Sequence, residues 1–456
     1  MNALISLSVL GLLAMISELL NFKKMLYPMV LLGLVIALGL NAIEWGTFKT
    51  WYGMMMVDKF ALAFSGVIIL IGLLWFLLVA DYHTDENHTS DHFAIFLFAM
   101  AGAVVLVSFT NLSMLFLGVE ILSIAMYVMA ASQKRDLASN ESGYKYFLMG
   151  SFATGFLLFG IALIYGAVGS FDLTKIGAYV AENQNNLPSI FYAGLLMMLV
   201  GLSFKVSAVP FHWWAPDVYT GAPTLVTAFM STIVKTAAFA AFLRLFITCF
   251  GGVETVWNQS VVVISAATIL VGNISALVQN DFKRLLAYSS VAHAGYMLLA
   301  VLAMNAQSGG SMLLYALAYS ISSLAAFGVL MAVAKVKGNT QVSSFKGLAR
   351  SNPFLAFVIT VAMLSLAGIP ATAGFFGKYY IFTAAIANHY TGLTLIAILG
   401  SLISVFYYFR IIIVMFEGEE DAVIEQGLAT KVLLVSCTIL AILFGLMPDL
   451  IISLLV

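Results

Sequence analysis

A charged side chain in the middle of an apolar segment long enough to cross a bilayer is costly. Lys235 is such a group, in the run from Pro223 to Phe250. Glu120, Lys145, Lys205 and Lys378 stand in similar runs. A lysine at the bilayer centre costs roughly 2.5–3.5 kcal/mol on insertion scales. Several in one chain suggest a route for charge through a membrane, with protons the expected cargo. Lys235 lies about ten residues, or about 15 Å at the helical rise, from either edge of its run. Its stem cannot snorkel that far.

The other candidates divide by depth. Glu120, in Leu117-Gly-Val-Glu120-Ile-Leu, is as central as Lys235 and needs a cationic partner or a proton, since burial disfavours a lone charge. Lys205 is the natural partner, and a paired glutamate–lysine couple can be switched by a neighbouring charge. Lys378 follows in Gly374-Phe-Phe-Gly377-Lys378-Tyr. Lys145 is within a turn or two of a helix end, where snorkelling and function explain it equally. His293 is in mid-helix, where it is either a satisfied neutral histidine or a relay that titrates near neutrality. For His212 and Asp217, beside Trp213 and Trp214, an interfacial aromatic belt with a capping acid and proton uptake are equal readings. Arg244 and Arg410, near helix ends, read as snorkelling or structural pairs.

Composition sets the class that must position these groups. The chain has 456 residues, 62% of them hydrophobic and 9% charged. Soluble domains carry about 25% charged residues. Apolar runs recur from end to end, so the expected fold is an all-α polytopic membrane protein. The first run reads as a transmembrane helix and not as a cleavable signal, because it has neither a basic flank nor a small-residue cleavage site. A net charge of −1 gives no reason to expect nucleic acid. Cys249 and Cys437 lie in apolar stretches without metal-ligand spacing and predict neither a disulfide nor an iron–sulfur site. No Gly-rich phosphate loop is present.

Fourteen spans are predicted, at 3–21, 25–43, 58–80, 92–109, 112–131, 141–169, 188–220, 222–250, 257–279, 283–304, 311–335, 353–388, 391–417 and 429–452. Spans 7 and 12 hold 33 and 36 residues, against about 20 needed. Each contains breakers in mid-run, Ala208-Val209-Pro210 in one and Gly368-Ile369-Pro370 in the other. Both are expected to be discontinuous helices, whose freed backbone groups must be buried in protein or line a wet cavity.

Odd-numbered loops carry Lys23, Lys24, Lys134, Arg135, Lys283, Arg284, Lys335, Lys337, Lys346 and Arg350, whereas even-numbered loops carry Lys49, Lys59 and Lys175. That bias puts the odd loops in the cytoplasm and both termini outside. The loops Asp81–His92 and Glu417–Glu425 are acidic, which counts little in this rule. Ala241-Phe-Leu-Arg244-Leu-Phe in span 8 is similar to Tyr408-Phe-Arg410-Ile-Ile in span 13, and the broken spans 7 and 12 precede these two in order. The offset of five spans is odd, so such repeats would be inverted in the membrane, a transporter design. The expected division is a three-helix segment at 1–91, inverted five-helix repeats at 92–250 and 251–417, and a last helix within 418–456.

Longer stretches carry a resemblance. They are Phe116-Leu-Gly-Val-Glu120-Ile-Leu-Ser, Gly201-Leu-Ser-Phe-Lys205-Val-Ser-Ala-Val-Pro210-Phe-His-Trp, Pro216-Asp-Val-Tyr-Thr-Gly-Ala-Pro223, Lys283-Arg-Leu-Leu-Ala-Tyr-Ser-Ser-Val-Ala-His293 and Leu364-Ser-Leu-Ala-Gly-Ile-Pro370. With them the chain resembles, over nearly its whole length, the antiporter-like membrane subunits of proton-pumping NADH:quinone oxidoreductase (respiratory complex I). The Asp217–Pro223 form is similar to the N-type branch and differs from the Met-Glu-Gly-Pro variant of the L- and M-type relatives. The resemblance implies a proton path through Glu120 paired with Lys205, then Lys235 as central relay and Lys378 on the far half, with Lys145 and His293 on the same polar axis. It implies a translocase subunit without a redox centre or metal of its own, with FMN, iron–sulfur clusters and quinone in partner subunits. The implied partners are other membrane subunits, an M-type subunit and small ones such as the K type. The implied location is a bacterial plasma (inner) membrane. A cation/proton antiporter subunit of related fold is the alternative.

Overall fold

The computed structural model describes residues 1–20, 22–83, 88–184, 186–305, 307–418 and 423–455. Residues 84–87 and 419–422, in the two acidic loops, lie outside the described residues. Fourteen helical spans run through the described residues. The first six are Asn2–Ile16, Leu26–Ile43, Lys59–Tyr82, Thr89–Ser108, Leu112–Ala130 and Leu137–Val168. Span 7 is two pieces, Ser189–Lys205 and Trp214–Gly221. Span 8 runs from Thr224 to Leu245, and spans 9 to 11 are Glu254–Leu277, Phe282–Ala303 and Ser308–Lys337. Span 12 is again two pieces, Pro353–Ala367 and Ala373–Ala387, and spans 13 and 14 are Thr391–Phe416 and Leu428–Leu446. The expected all-α membrane architecture with breaks in spans 7 and 12 is therefore present.

Local chemistry sets the span ends. Ala61 N–H donates to Asp58 Oδ1 at 2.7 Å, Ala138 N–H to Asp136 Oδ1 at 3.0 Å, and Arg284 N–H to Asp281 Oδ1 at 2.8 Å. An acidic N-cap satisfies donors that the first helical turn leaves free. Gly368, at φ 84°, closes the first half of span 12 in the left-handed conformation that glycine adopts without strain.

Two short features were not anticipated. Strands β1 (Lys49–Trp51) and β2 (Met55–Val57) form an antiparallel hairpin between spans 2 and 3. The amphipathic helix Leu173–Glu182 lies between spans 6 and 7, with Leu173, Ile176 and Val180 buried. Both are shorter than a membrane-crossing run, so a search for such runs passes over them.

Contacts sort the loops into two sets. At one end, Asn111 bridges Asp172, Met55 bridges Phe109, and Arg244 Nη2 donates to Asp58 Oδ1 at 2.7 Å. At the other, Asp281 bridges Gln341, and Asp81 Oδ2 accepts from Thr430 Oγ1 at 2.5 Å. Even-numbered loops thus meet even, and odd meet odd. The core is the middle of the bundle, where spans 8, 10 and 11 are buried nearly throughout.

The two halves of span 12 pack back against each other at Gly374. A Cβ there would sit 1.8 Å from the Ser365 backbone oxygen. Backbone cannot yield as a side chain can, so Gly374→Ala forces the second half-helix away. Overpacking of this kind costs about 1–3 kcal/mol. The expected result is a lower thermal midpoint for the complex containing this chain and less of the chain in membranes. An unchanged midpoint would show that the half-helices do not need this approach.

Candidate functional site

Span 7 stops because its helix runs into Val206–Trp213, where Ser207 has φ 63° and Pro210 has no N–H to continue the ladder. Lys205 is therefore the last helical residue of the first half, buried at 7% exposure. A cation suits that position, because unpaired carbonyls give a helix C-terminus a negative potential. The freed backbone finds other partners. Val209 N–H donates to Thr268 Oγ1 at 2.9 Å, and Trp214 Nε1 donates to the Phe204 carbonyl at 3.1 Å.

Lys205 Nζ donates to Ser123 Oγ at 2.8 Å. Glu120 sits one helical turn before Ser123, within electrostatic range of Lys205. The expected glutamate–lysine couple is thus facing, but a serine hydroxyl takes the ammonium and no direct ion pair forms among the described residues. A small cavity beside Lys205 is lined by Ser123, Tyr127 and Thr154. Around the break, the buried atoms Tyr146 Oη, Ser203 Oγ, Ser207 Oγ and His212 Nδ1 have no hydrogen-bond partner among the described residues.

Lys235 is 2% exposed in mid-span 8. Its Nζ donates to the Ser290 carbonyl at 2.5 Å and to Ser290 Oγ at 2.6 Å. Span 8 is not a plain α-helix throughout. Met230–Val234 is a π-helical turn that ends immediately before Lys235. Such a turn inserts an extra residue and re-aims the side chains after it, and it recurs at functional sites.

Beyond Ser290, polar side chains continue across the core. Ser289 Oγ is 2.5 Å from Tyr408 Oη, which is 3.1 Å from His293 Nε2, and His293 Nδ1 is 2.6 Å from Tyr315 Oη. Alongside, Tyr407 Oη donates to Asn273 Oδ1 at 3.0 Å, and Asn273 Nδ2 donates to Tyr296 Oη at 3.0 Å. The Tyr296 ring lies 5.1 Å from Lys378 Nζ. A second small cavity separates His293, Tyr315 and Tyr319 from Ser365, Leu366 and Gly374 at the break of span 12.

Lys378 closes the series from the second half of span 12. Its Nζ donates to the Leu366 carbonyl at 3.1 Å, the Ala367 carbonyl at 2.8 Å and Ser401 Oγ at 2.9 Å. Two of these acceptors are the last carbonyls of the first half-helix, so Lys378 caps the break as a cation at a helix C-terminus. His293, Lys235 and Lys378 are thus brought to one buried polar string, and Lys205 and Glu120 stand at the broken span 7.

Lys145 stands elsewhere. It is 38% exposed and pairs with Glu141 at 2.7 Å and Asp217 at 2.9 Å, while Arg284 Nη1 reaches the other Asp217 oxygen at 3.1 Å. Asp217 is thus a strut between spans 6, 7 and 10. Lys283 also differs from a loop charge. It is buried, and its Nζ donates to the Ala222 carbonyl and, at 3.1 Å, to the Thr220 carbonyl, capping the second half of span 7. Arg244 pairs with Asp58, and Arg410 donates to the carbonyls of Leu277 and Gln279.

Sequence reasoning missed Ser123, Asn273, Ser290, Tyr296, Tyr315, Ser401 and Tyr408. One signal was available. Ser289 and His293 are four residues apart, on one helix face, and both touch Tyr408. Ser290 and Tyr296 lie in the same span 10, whereas Ser123, Asn273, Tyr315, Ser401 and Tyr408 come from other spans and leave no pattern in any one of them. Among the described residues no group of three or more His, Cys, Asp or Glu is placed to hold a metal.

The same architecture occurs in known proteins. Residues 109–404 match the family described as NADH:quinone oxidoreductase/Mrp antiporter, TM. The NADH-quinone oxidoreductase subunit N of Cytophaga hutchinsonii is 48% identical over 457 aligned residues, covering 99% of each chain. A chain of respiratory complex I from Thermus thermophilus with bound aureothin superposes with a TM-score of 0.85 at 32% identity, over 99% of this chain and 98% of that one. A chain of the Mrp complex from Dietzia sp. superposes equally well, at 0.85 over 99% and 96% of the two chains, but at 20% identity it shares the fold alone. By the family match, which spans well over half its length, and by this identity to subunit N relatives, the chain belongs to the NADH:quinone oxidoreductase/Mrp antiporter membrane-subunit family, in its subunit N branch.

Proposed function

We propose that this chain is a proton-translocating membrane subunit of an NADH:quinone oxidoreductase, performing no redox chemistry itself. The observation that carries the reading is the buried string Lys235–Ser290, Ser289–Tyr408–His293–Tyr315 and Tyr296–Lys378, which runs between two broken helices. Hydroxyl, imidazole and ammonium groups can each donate and, once deprotonated or neutral, accept a proton. Buried polar atoms without protein partners are met by ordered water. Water at Tyr146, Ser203, Ser207 and His212 would join the Lys205 side of the break to this string.

In this mechanism Glu120 sets the charge state of Lys205, Lys235 is the central relay, and Lys378 delivers the proton on the far half. His293 passes protons between the two tyrosines. Lys145 holds the Asp217 strut and stays outside the path. The inverted repeats, 92–250 and 251–417, would each contribute one broken span and one half of the route. FMN, the iron–sulfur clusters and quinone belong to partner subunits. The neighbours are an M-type subunit and small subunits such as the K type, in a bacterial plasma membrane.

An antiporter subunit working without redox partners is the competing reading, since the same fold serves Mrp complexes. Purification of the native complex through a tag on this chain separates the two. Co-purifying NADH dehydrogenase subunits support the proposal, whereas a set of antiporter subunits alone overturns it.

Orientation is tested separately. Residues 335–352 should be cytoplasmic and residues 170–187 outside, because the odd loops hold most of the lysine and arginine. Single cysteines at Ser344 and Asn183 should react with an impermeant maleimide from opposite faces of sealed vesicles. The reverse labelling would reject the assignment.

A further inference from the structure

A large cavity opens away from the polar string, at the end of the bundle where the lysine- and arginine-rich loops gather. Its volume is about 940 Å³, within the range of sites that hold organic ligands. Spans 3 and 4, the turn between spans 5 and 6, and the ends of spans 8 and 11 enclose it. Its interior is apolar, with Trp75, Phe93, Phe96 and Met331 on the walls. The one indole donor there is spent, since Trp75 Nε1 donates to the Leu225 carbonyl at 2.9 Å. A polar ligand would find little to bind at that depth.

The rim is basic. Among the described lining residues, Lys134, Arg135 and Lys335 stand against one carboxylate, Asp136. Asp136 already caps span 6 by accepting from Ala138 N–H at 3.0 Å. Among the described residues, no ion pair engages Lys134, Arg135 or Lys335. Lys335 Nζ instead lies 5.6 Å from the Tyr82 ring. His83, His88 and His92 stand on the same rim, and His88 Nδ1 is 3.5 Å from Asp91. Among the described residues the balance at the mouth, with Asp91 counted, is positive even with every histidine neutral.

A small free anion would use the rim and leave the aromatic interior empty. A neutral lipid would use the interior and leave the rim uncompensated. We infer that this cavity binds one anionic phospholipid, with its phosphate at Lys134, Arg135 and Lys335 and an acyl chain between Trp75, Phe96 and Met331. Basic pockets between transmembrane helices recognise such headgroups through charge, and the bilayer supplies the ligand at high local concentration. The site is separate from the proposed proton route and does not depend on it.

The test uses the purified complex in nanodiscs carrying a trace of phosphatidylglycerol or phosphatidylcholine with a diazirine in one acyl chain. After photolysis, adducts are mapped by peptide mass spectrometry. Phosphatidylglycerol should label the segments holding Phe93–Phe96 and Met331 roughly tenfold more than phosphatidylcholine does, because each basic group adds to the attraction for an anionic headgroup. The triple variant Lys134→Gln, Arg135→Gln, Lys335→Gln should lose that preference while still being labelled. Equal labelling of the wild type by both lipids overturns the anionic assignment, and this comparison stands even if the variant fails to assemble. No labelling of these segments by either lipid overturns the site, as it would if an acidic segment of a neighbouring subunit filled it.

Discussion

A complex carrying Lys235→Arg should assemble normally and translocate protons poorly, with coupled proton pumping reduced roughly tenfold or more, as expected when a positioned proton-transfer group is lost. Arginine keeps the charge of lysine but does not release its proton at physiological pH. The site around Lys235 makes this discriminating. Its ammonium is held by two acceptors of a single residue, the Ser290 carbonyl and hydroxyl, and among the described residues no carboxylate is bonded to it. Burial disfavours the charged form, and a carboxylate at a distance favours it. A shift in the Glu120–Lys205 charge pattern can therefore change whether Lys235 carries a proton. Two charges several Å apart interact by a few kcal/mol at an effective dielectric constant of about 20, and about 1.4 kcal/mol already changes occupancy tenfold. Lys235→Met should fail for the opposite reason, since it never holds a proton. Full NADH–quinone activity and full proton yield in both variants would mean that the relay avoids this residue.

Glu120→Ala should impair pumping by a similar factor while leaving assembly intact. Glu120 is half-buried and, among the described residues, forms no ion pair, and the Lys205 ammonium donates its hydrogen bond to Ser123. The carboxylate contributes its charge and not a contact that holds spans together. Removing it takes away an anion that favours the protonated Lys205 at the break of span 7. Residues that act as a unit lose function non-additively, so Glu120→Ala combined with Lys205→Ala should be little worse than Lys205→Ala alone. Proton yield in sealed vesicles, compared with subunit content on native gels, separates pumping from assembly. Normal yield from an assembled Glu120→Ala complex would remove Glu120 from the mechanism. A double variant much worse than either single one would show that the two residues act independently.

These expectations depend on features of unequal visibility. The spans were legible because about 20 apolar residues are needed to cross the hydrocarbon, and the chain repeats such runs from end to end. The breaks were legible because Pro210 and the Gly368–Pro370 stretch interrupt runs too long for one crossing. The lysines were legible because a charge at that depth is rarely incidental. The orientation of each lysine was not. Lys205 and Glu120 read as a pair, in direct contact or through water, and nothing in the sequence signalled that Ser123 receives the ammonium. Lys145 read as a candidate for the axis, yet Glu141 and Asp217 hold it at the bundle's end. Lys283 counted as a loop charge, yet it caps a buried half-helix.

The sequence by itself determined the membrane class, the number of crossings, the two interrupted helices and the buried charges, because each depends on one-dimensional quantities: run length, breaker position and the cost of burying a charge. Tertiary structure alone decided which hydroxyls, rings and carbonyls meet those charges. Ser290 and His293 come from span 10, Tyr315 from span 11, Lys378 from span 12 and Tyr408 from span 13, and serine and tyrosine are ordinary residues within any one apolar helix. Only packing at the centre of the bundle, where buried polar atoms find partners in protein or ordered water, brings these scattered residues close together. The same packing made the lipid-sized cavity at the bundle's end, whose walls come from five separate spans and their connections and whose outline no single stretch of sequence contains.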